Sequence, residues 1–393
     1  MRTIQATYCY RLEPSPEQAA SLLQFAGARR WIWNWGLARK REHYAASKQS
    51  LSYNDLAGEL KLLKQQPQTA WLRDVDSQLL QQALRDLDQA FKKFFSKQTK
   101  FPRFKSRKSD KARFRIPQRV VLEGTKVSIP KIGLVRVRLH RPLLGKSKSA
   151  TFVQEPDGHW YVAFVVEQEI EERTARPIKQ AIGIDVGLKS FLVGSDGRQI
   201  ENPRYYRTQM RKLRRAQQAL SRKQRGSANR QKARKQLARI HQKVRHQRLD
   251  FLHKHSTQLV REHDLIAIEN LSVRGLAKTK LSTSVLDAAW ATFRQFLTYK
   301  ADWQNKHLIV IERFFPSSRL CGVCGKKNDV LTLTDRVWTC ACGASHDRDL
   351  NAARNILAQG LHLFSQNVAV GHTETQNACG VSISPVFATG SGR

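Results

Sequence analysis

The sequence predicts a multidomain α/β protein: a small β-barrel or sheet interrupted by a helical domain, followed by an α/β domain with a cysteine-rich insert. Three observations favour this fold class. Apolar residues alternate over residues 1–12 and again from about 100 to 175, and the stretch between them has helical periodicity. Further along, short apolar strands alternate with helical segments. A chain of 393 residues is too long for one small core, and a hydrophobic fraction of 40% allows several.

The charge of the chain predicts a polyanionic partner. The formal net charge is +37 and the isoelectric point is near 10.5, so the folded protein repels itself unless an anion neutralises it. Nucleic acid is the leading candidate, and a membrane surface is the second. The sequence contains no run of 18 apolar residues, and its first ten residues lack the apolar core of a signal peptide. We therefore expect a cytoplasmic protein in a reducing compartment, without a membrane partner.

The first 175 residues predict a strand, a helical insertion and a set of further strands. Residues 1–12 alternate as one strand, and residues 15–98 form three or four helices with breaks near Ser50 and at Gln66–Gln68. From about residue 100 to 175 the pattern is short and alternating, with Arg and Lys at the polar positions. Three tryptophans of the helical region suit either base stacking or core packing, and we favour the core: Trp31, Trp33 and Trp35.

Residues 181–187, Ala-Ile-Gly-Ile-Asp-Val-Gly, predict a strand with two unlike faces. The isoleucines point one way, and Asp185 points the other way between Gly183 and Gly187. A carboxylate buried on an apolar strand suggests a function, and we expect the glycines to leave space beside it for metal ions and a phosphate backbone. A hairpin follows, with its turn at residues 195–197. Three antiparallel strands led by a carboxylate are typical of the RNase H type of fold.

Two more acids lie at the ends of predicted elements. Glu269 ends the strand of residues 264–271, and Asp349 begins a helix that we expect to end at Gly360. Between them the sequence predicts a helix over residues 285–304 and a strand over residues 308–311. Glu269 could simply face solvent, and Asp349 could cap its helix. We interpret these two acids and Asp185 as metal ligands, because divalent cations relieve the repulsion between clustered carboxylates.

The chemistry of three carboxylates favours magnesium. Mg²⁺ prefers oxygen ligands and keeps several waters. Two such ions about 4 Å apart activate a water molecule and stabilise the leaving 3′-oxygen in phosphodiester hydrolysis.

Residues 203–263 predict two helices, broken at Gly226-Ser227, whose charge is almost entirely positive. Their apolar residues form only a thin stripe, and few acids are placed to pair with the cations along each helix. A solvated pair of charged helices is the alternative, but we favour phosphate contact with release of counterions. The candidate nucleic-acid-binding residues are Arg211, Lys212, Arg214, Arg215, Arg222, Lys223, Arg230, Lys232, Arg234 and Lys235.

Four of the six cysteines form two close pairs, which predicts one structural Zn²⁺ ion. The pairs are Cys321-Gly-Val-Cys324 and Cys340-Ala-Cys342, and the second is one residue shorter than the usual spacing. His346 and His253 are spare ligands by residue type. Cys9 and Cys379 stand apart from this cluster, and we expect them to be free thiols.

These motifs together resemble the insertion-sequence TnpB (OrfB) proteins, which are related to the compact type V CRISPR effectors. The resemblance covers residues 1 to about 360. The segments that carry it are Gly-Ile-Asp185-Val-Gly, Ile-Ala-Ile-Glu269-Asn-Leu, the four cysteines, His-Asp-Arg-Asp349-Leu-Asn, residues 100–105 and residues 315–321. By position, Asp185, Glu269 and Asp349 match the family's catalytic triad, with Asp347 as the alternative to Asp349.

The resemblance also implies a plan of domains: a wedge β-barrel, a helical recognition domain and an RNase H-like (RuvC) nuclease domain with a zinc-ribbon insert. The expected ranges are 1–14 for the first wedge strand, 15–99 for the recognition domain, 100–176 for the rest of the wedge, 177–315 for the nuclease domain with basic helices at 203–263, 316–345 for the zinc ribbon, 346–362 for the last nuclease helix and 363–393 for a flexible tail.

The function that the resemblance implies is RNA-guided cleavage of DNA. The expected partners are a guide RNA from the transposon end and a double-stranded DNA target, and the expected cofactors are two Mg²⁺ ions, or Mn²⁺ in their place, and one Zn²⁺. Tyr53, Ser77 and Gln81 match positions near the surface that reads a short target-adjacent motif. The resemblance implies a prokaryotic, nucleoid-associated protein, and we favour a monomer. A guided DNA-binding regulator without cleavage and an unguided, structure-specific nuclease are the alternatives.

Overall fold

The computed structural model describes residues 1–172, 177–332 and 334–369. Contacts divide the chain after Ile170 into two compact units, an N-terminal unit and a C-terminal unit. Residues 173–176 of the predicted linker lie outside the described residues. The end of the expected tail, including Cys379, also lies outside them. None of the described helices combines the length and the apolar composition needed to cross a membrane.

The N-terminal unit contains one antiparallel sheet of seven strands. The strands are β1 (Arg2–Glu13), β2 (Arg113–Ile116), β3 (Val121–Glu123), β4 (Lys126–Ile129), β5 (Gly133–Arg138), β6 (Lys146–Gln154) and β7 (Trp160–Ile170). Their order is β2-β6-β7-β1-β5-β4-β3, so β1 lies in the middle and the helical region is an insertion between paired strands. Among the described strands the sheet is open, with β2 and β3 as its edges, and the expected closure into a barrel is not seen.

Three α-helices form the insertion, as the periodicity predicts: α1 (Pro16–Ser47), α2 (Tyr53–Leu63) and α3 (Ser77–Phe95), with a 3₁₀ segment at Pro67–Asp74. Capping boxes at Ser15 and Ser52 begin the first two, and Asp76 caps the third. Trp33 is buried, and its indole N–H donates a hydrogen bond to the Arg103 carbonyl. Its role in the core is therefore confirmed.

The C-terminal unit is built on a mixed sheet of five strands. They are β8 (Ala181–Val186), β9 (Ser190–Gly194), β10 (Gln199–Glu201), β11 (Leu265–Glu269) and β12 (His307–Ile311), in the order β10-β9-β8-β11-β12. Strands β8, β9 and β10 run antiparallel as predicted, whereas β8, β11 and β12 are parallel. The predicted turn is present, with Gly197 at a φ of 87°.

The helices of this unit are α4 (Tyr205–Ser221), α5 (Ala228–Glu262), α6 (Val273–Leu276), α7 (Ser282–Ala288), α8 (Trp290–Trp303) and α9 (Arg348–Ala369). A small hairpin, β13 (Val337–Thr339) and β14 (Ser345–Asp347), precedes α9. The expectation of one helix over residues 285–304 is wrong, because Ala289 has a φ of 55° and separates α7 from α8.

The two faces of the mixed sheet pack against different helices. Ile184 and Ile268 lie in a core with residues of α5 and α8, whereas Ala267 and Ile309 pack with Ile356 of α9. Asp185 alternates with Ile184, so it lies on the face that α9 covers.

Helix α9 corrects two predictions. A Cβ atom on Gly183 would lie 2.1 Å from the backbone oxygen of Ala353, so this glycine makes room for α9 instead of for metal ions and phosphate. Gly360 does not end the helix, which continues to Ala369 and takes in the start of the expected tail. A Cβ atom there would lie 2.4 Å from the Ala267 Cβ, so Gly360 permits close packing on the sheet.

Candidate active site and four-cysteine cluster

Asp185 lies near the end of β8, on the side of the sheet that faces α9. Burial, and next the negative charges of Glu269 and Asp349, raise the pKa of Asp185 to about 7, although Arg348 acts in the opposite direction. The structure therefore brings Asp185 within electrostatic range of both other predicted acids, which are 84 and 164 residues further along the chain.

Glu269 ends the neighbouring strand β11. Because Ile268 pairs with Ile184 in a parallel register, Glu269 is at the same end of the sheet as Asp185. Burial raises the pKa of Glu269, and a hydrogen bond donated by the Ser317 hydroxyl to Oε1 partly offsets that effect. The alternative of a carboxylate that simply faces solvent does not fit this half-buried, hydrogen-bonded side chain.

Asp349 is in the first turn of α9, but it is not the helix cap. Asp347 has that role, because its Oδ1 accepts a hydrogen bond of 2.9 Å from the Leu350 backbone N–H. Asp349 instead lies 3.5 Å from the Arg336 guanidinium and acts electrostatically on Asp185. This geometry favours Asp349 over Asp347 as the third acid of the site.

The arrangement of three carboxylates is suited to a hard divalent cation. An ionised, half-buried Asp185 beside two more negative charges is unfavourable unless a proton or a cation neutralises part of the charge. All the side-chain donors that these residues offer are oxygens, which suits Mg²⁺ or Mn²⁺. These oxygen donors suit a hard divalent cation, and Ser317 fixes one oxygen of Glu269, but the three carboxylates do not all lie within 4.8 Å of one another.

The four predicted zinc ligands come together. Their sulfur atoms all lie within 4.8 Å of one another, and within the described ranges they are the one such cluster of potential metal ligands. The Cys321–Cys342 and Cys324–Cys340 sulfurs are 3.7 and 3.6 Å apart. A zinc tetrahedron with bonds of about 2.3 Å requires sulfur separations of about 3.8 Å. The shortened second pair is therefore compatible with tetrahedral Zn²⁺.

The surroundings of Cys321 favour its thiolate. Burial raises the pKa of Cys321, but backbone N–H donors of Cys324 and Val323 and the ring of His346 outweigh burial, so the pKa is lower than usual. His346 Nε2 lies 3.1 Å from Cys321 Sγ. The other spare candidate, His253, stacks on Phe296 with ring centroids 3.9 Å apart and takes no part in the cluster.

Several residues at this site were not singled out in the sequence. Arg336 contacts Asp349, and Ser317 contacts Glu269, although Ser317 belongs to the segment 315–321 that carries the family resemblance. Asn351 and Asn355 of α9 hold that segment through hydrogen bonds. Two asparagines four residues apart on one face of a predicted helix were a usable signal. The sequence around Arg336 offered none.

The basic helices α4 and α5 follow one another closely in the chain and pack together. Nine of the ten predicted residues are exposed and form no ion pair in the part of the chain that the structure describes: Arg211, Lys212, Arg214, Arg215, Arg222, Lys223, Lys232, Arg234 and Lys235. Arg230 differs, because its Nη1 donates to the carbonyls of Leu220 and Lys223 at 2.9 and 2.8 Å. Its guanidinium hydrogen-bonds carbonyls at the C-terminal end of α4 and is therefore less available to a phosphate.

The three residues predicted to lie near a motif-reading surface are in the N-terminal unit. Ser77 and Gln81 are exposed on one face of α3, one turn apart. Arg85 continues that face, and its guanidinium lies 5.2 Å from the ring centre of Tyr53 on α2. Arg85 thus joins the three predicted residues on one exposed surface.

Family models match three parts of the chain. One described as "Probable transposase" (OrfB_IS605) matches residues 163–280, and one described as "Cas12f1-like, TNB domain" matches residues 290–356. A third, described as "Helix-turn-helix domain", matches residues 1–49, where the structure has strand β1 and the single helix α1.

Curated relatives match nearly the whole chain. A protein of Streptomyces pristinaespiralis named "Putative RNA-guided DNA endonuclease" is 41% identical over 370 residues, covering 92% of this chain and 90% of the relative. A protein of Escherichia coli K12 with the same description, InsQ, is 35% identical over 379 residues, covering 92% and 93%. The chain therefore belongs to the OrfB (TnpB) family of IS605-type insertion sequences.

A solved structure named "Cryo-EM structure of the Cas12f1-sgRNA-target DNA complex" aligns with 90% of this chain and 98% of that chain. The sequence identity is 13% and the TM-score is 0.49.

Proposed function

We propose that this chain is a transposon-encoded, RNA-guided DNA endonuclease. The observation that carries the proposal is the grouping of Asp185, Glu269 and Asp349, in which the two later acids help to raise the pKa of the first to about 7. The activity is inferred from family membership, because two relatives that align over 90% and 93% of their own length carry that description. The guide RNA would come from the transposon end, and the target would be double-stranded DNA.

The fold of the C-terminal unit supports a nuclease domain of the RNase H-like (RuvC) type. Its three antiparallel strands are followed by parallel β11 and β12, and the acids lie on β8, at the end of β11 and at the start of α9. The seven-stranded sheet of the N-terminal unit is the candidate wedge, and α1–α3 are the candidate recognition domain.

The three carboxylates would hold two Mg²⁺ ions, which supply an activated water and stabilise the leaving 3′-oxygen when bound. The part of the chain is to place the carboxylates. Ser317 donates to Glu269, and because Asp347 caps α9, the Asp349 carboxylate is not used as the helix cap. The four cysteines would hold one structural Zn²⁺.

Recognition would be divided between the guide and the protein. Base pairing of the guide would read the target sequence, while exposed cations of α4 and α5 hold nucleic-acid backbone by charge. Tyr53, Ser77 and Gln81, joined by Arg85, would read the target-adjacent motif.

The experiment that tests the proposal begins with the RNA that copurifies with the protein. Sequencing it identifies the scaffold and the guide, and a matched target flanked by randomised positions then serves as substrate with Mg²⁺. The wild type should cut the matched target, and Asp185→Ala should bind it without cutting. Equal cleavage by Asp185→Ala would overturn the assigned site.

Two further arms separate the alternatives. An unguided nuclease would retain its activity after RNase treatment, whereas a guided enzyme loses it. A guided regulator would bind the matched DNA and give no product with Mg²⁺ or Mn²⁺.

A further inference from the structure

Ser317 links the cysteine cluster to the candidate active site. Its side chain is buried, and its hydroxyl donates a hydrogen bond to Glu269 Oε1. The backbone around it forms a tight turn, since the N–H groups of Arg319 and Leu320 donate to the Pro316 carbonyl at 2.9 and 3.1 Å. The turn leads directly to Cys321, the first cysteine of the cluster. Ser317 therefore stands between a candidate Mg²⁺ ligand and a candidate Zn²⁺ ligand.

Two asparagines of α9 fix this turn. Asn355 Nδ2 donates to the carbonyls of Ser317 and Leu320 at 2.8 and 2.9 Å, and Asn351 Nδ2 donates to the Leu320 carbonyl at 2.6 Å. Both side chains are buried, 8% and 2% exposed respectively, so removal of a partner would leave an unsatisfied polar group inside the protein. The backbone of Ser317 is thereby fixed independently of its own side chain.

The same helix also holds the first cysteine knuckle. The Gly322 N–H donates to Asn351 Oδ1 at 3.0 Å, and a Cβ atom on Gly322 would lie 2.8 Å from that oxygen. Helix α9 thus carries Asp349 in its first turn, holds the turn that contacts Glu269, and receives the cysteine cluster. A shift of the turn relative to α9 would change the placement of Glu269 relative to Asp349.

The hydrogen bond leaves one oxygen of Glu269 for a cation. Ser317 occupies Oε1, while Oε2 accepts no hydrogen bond from the described residues. A carboxylate that is already oriented loses less rotational freedom when it binds a metal.

We propose that Ser317 and Asn355 are positioning residues for divalent-cation binding by Glu269, and that the cysteine cluster is fastened to α9 to keep them in place. This inference rests on the proposed metal site of the three carboxylates. Ser317 acts through Glu269, and Asn355 acts through the backbone of Ser317. Removal of a partner that orients a metal ligand typically weakens metal binding about 10- to 100-fold.

The test measures Mn²⁺ binding to the full chain by electron paramagnetic resonance, after RNA has been removed and with zinc retained. Only the sites that Asp185→Ala abolishes are counted. Ser317→Ala and Asn355→Ala should each weaken these sites about 10- to 100-fold. Ser317→Thr, which keeps a hydroxyl, should stay closer to the wild type than Ser317→Ala does. Because Asn355 acts through Ser317, the double variant should weaken binding by less than the product of the two single effects.

The neighbouring serine provides a matched control. Ser318 is half-buried and makes no hydrogen bond within the described chain, so Ser318→Ala should bind Mn²⁺ like the wild type. Zinc content and the thermal transition of each variant show that the fold is kept. In the cleavage assay Ser317→Ala should need more Mg²⁺ for half-maximal rate and recover most of its rate at saturating Mg²⁺.

The outcomes separate the two proposals. If Asp185→Ala leaves Mn²⁺ binding intact, the carboxylate site itself is wrong. If Asp185→Ala removes the sites while Ser317→Ala binds like the wild type, the positioning role alone is refuted. Equal loss in Ser317→Thr and Ser317→Ala would also refute it, because packing and not the hydroxyl would then be responsible.

Discussion

The substitution Asp185→Asn should stabilise the metal-free protein while abolishing its chemistry. Asn has almost the same shape as Asp but carries no charge. Burial and the two neighbouring acids raise the pKa of Asp185 from 3.8 to about 7, which means that the ionised carboxylate is unfavourable in the folded state. Removal of the charge should therefore increase the free energy of unfolding wherever Asp185 is ionised.

The size of this effect depends on pH. Between pH 3.8 and about 7 the folded state holds a proton that the unfolded chain has released, so the stability of the wild type falls as pH rises through this window. The destabilisation of the folded state by Asp185 grows by about 1.4 kcal/mol per pH unit. It is about 2 kcal/mol at pH 5 and reaches an upper limit of about 4 kcal/mol at pH 8. The Asn variant has no such loss. For a unit of this size, each kcal/mol raises Tm by roughly 2–4 °C.

Differential scanning calorimetry measures the effect in Mg²⁺-free buffer without a chelator, so that zinc is retained. The Asn variant should melt higher than the wild type at pH 8, and the gap should narrow at pH 5. Added Mg²⁺ should stabilise the wild type and leave the variant unchanged, because binding to the folded state alone raises stability. An Asn variant that melts at or below the wild-type temperature at pH 8 would refute the reasoning that the carboxylates repel one another.

Four further outcomes follow from the structure. Asp349→Asn should abolish cleavage, whereas Asp347→Ala should keep it and lose about 1 kcal/mol of stability with the helix cap; the reverse pattern in a plasmid-cleavage assay would make Asp347 the third ligand. Substitution of Arg211, Lys212, Arg214 and Arg215 by Gln should lower the steepness of log affinity against log salt by roughly 0.7–0.9 for each phosphate that these side chains no longer neutralise. Arg230→Gln should instead chiefly lower Tm. An unchanged salt dependence in the first variant would contradict phosphate binding by α4. Cys340→Ser should lose zinc, and one zinc per chain by mass spectrometry would place the metal elsewhere. Gly183→Ala should lower the free energy of unfolding by about 3 kcal/mol or more in chemical denaturation, because its Cβ would lie 2.1 Å from a backbone oxygen of α9. A variant as stable as the wild type would show that α9 packs differently.

Local patterns predicted the strands of the five-stranded sheet and the four-cysteine cluster. The alternation of Ile182, Gly183, Ile184 and Asp185 indicated which face the carboxylate takes, and the structure places the isoleucines in one core and Asp185 on the other face. The cysteine spacing indicated the tetrahedral cluster. These features depend on residues close together in sequence, where periodicity and ligand spacing are informative.

Several contacts between distant residues were not predicted. The helix that covers Asp185 is more than 160 residues away in sequence, so the role of Gly183 in admitting α9 could not be inferred from the strand alone. The same applies to the Ser317–Glu269 contact, which spans 48 residues. Gly360 misled the prediction, because a glycine near a helix end suits either a cap or close packing.

The most direct test of the central claim is cleavage of a plasmid that carries the sequence matched to the copurifying RNA, with wild type and Asp185→Ala compared in Mg²⁺. The wild type should cut only the matched plasmid and only with the RNA present, while the variant should bind the same plasmid and leave it intact. Cleavage by the variant, or RNA-independent cleavage by the wild type, would contradict RNA-guided cleavage at Asp185.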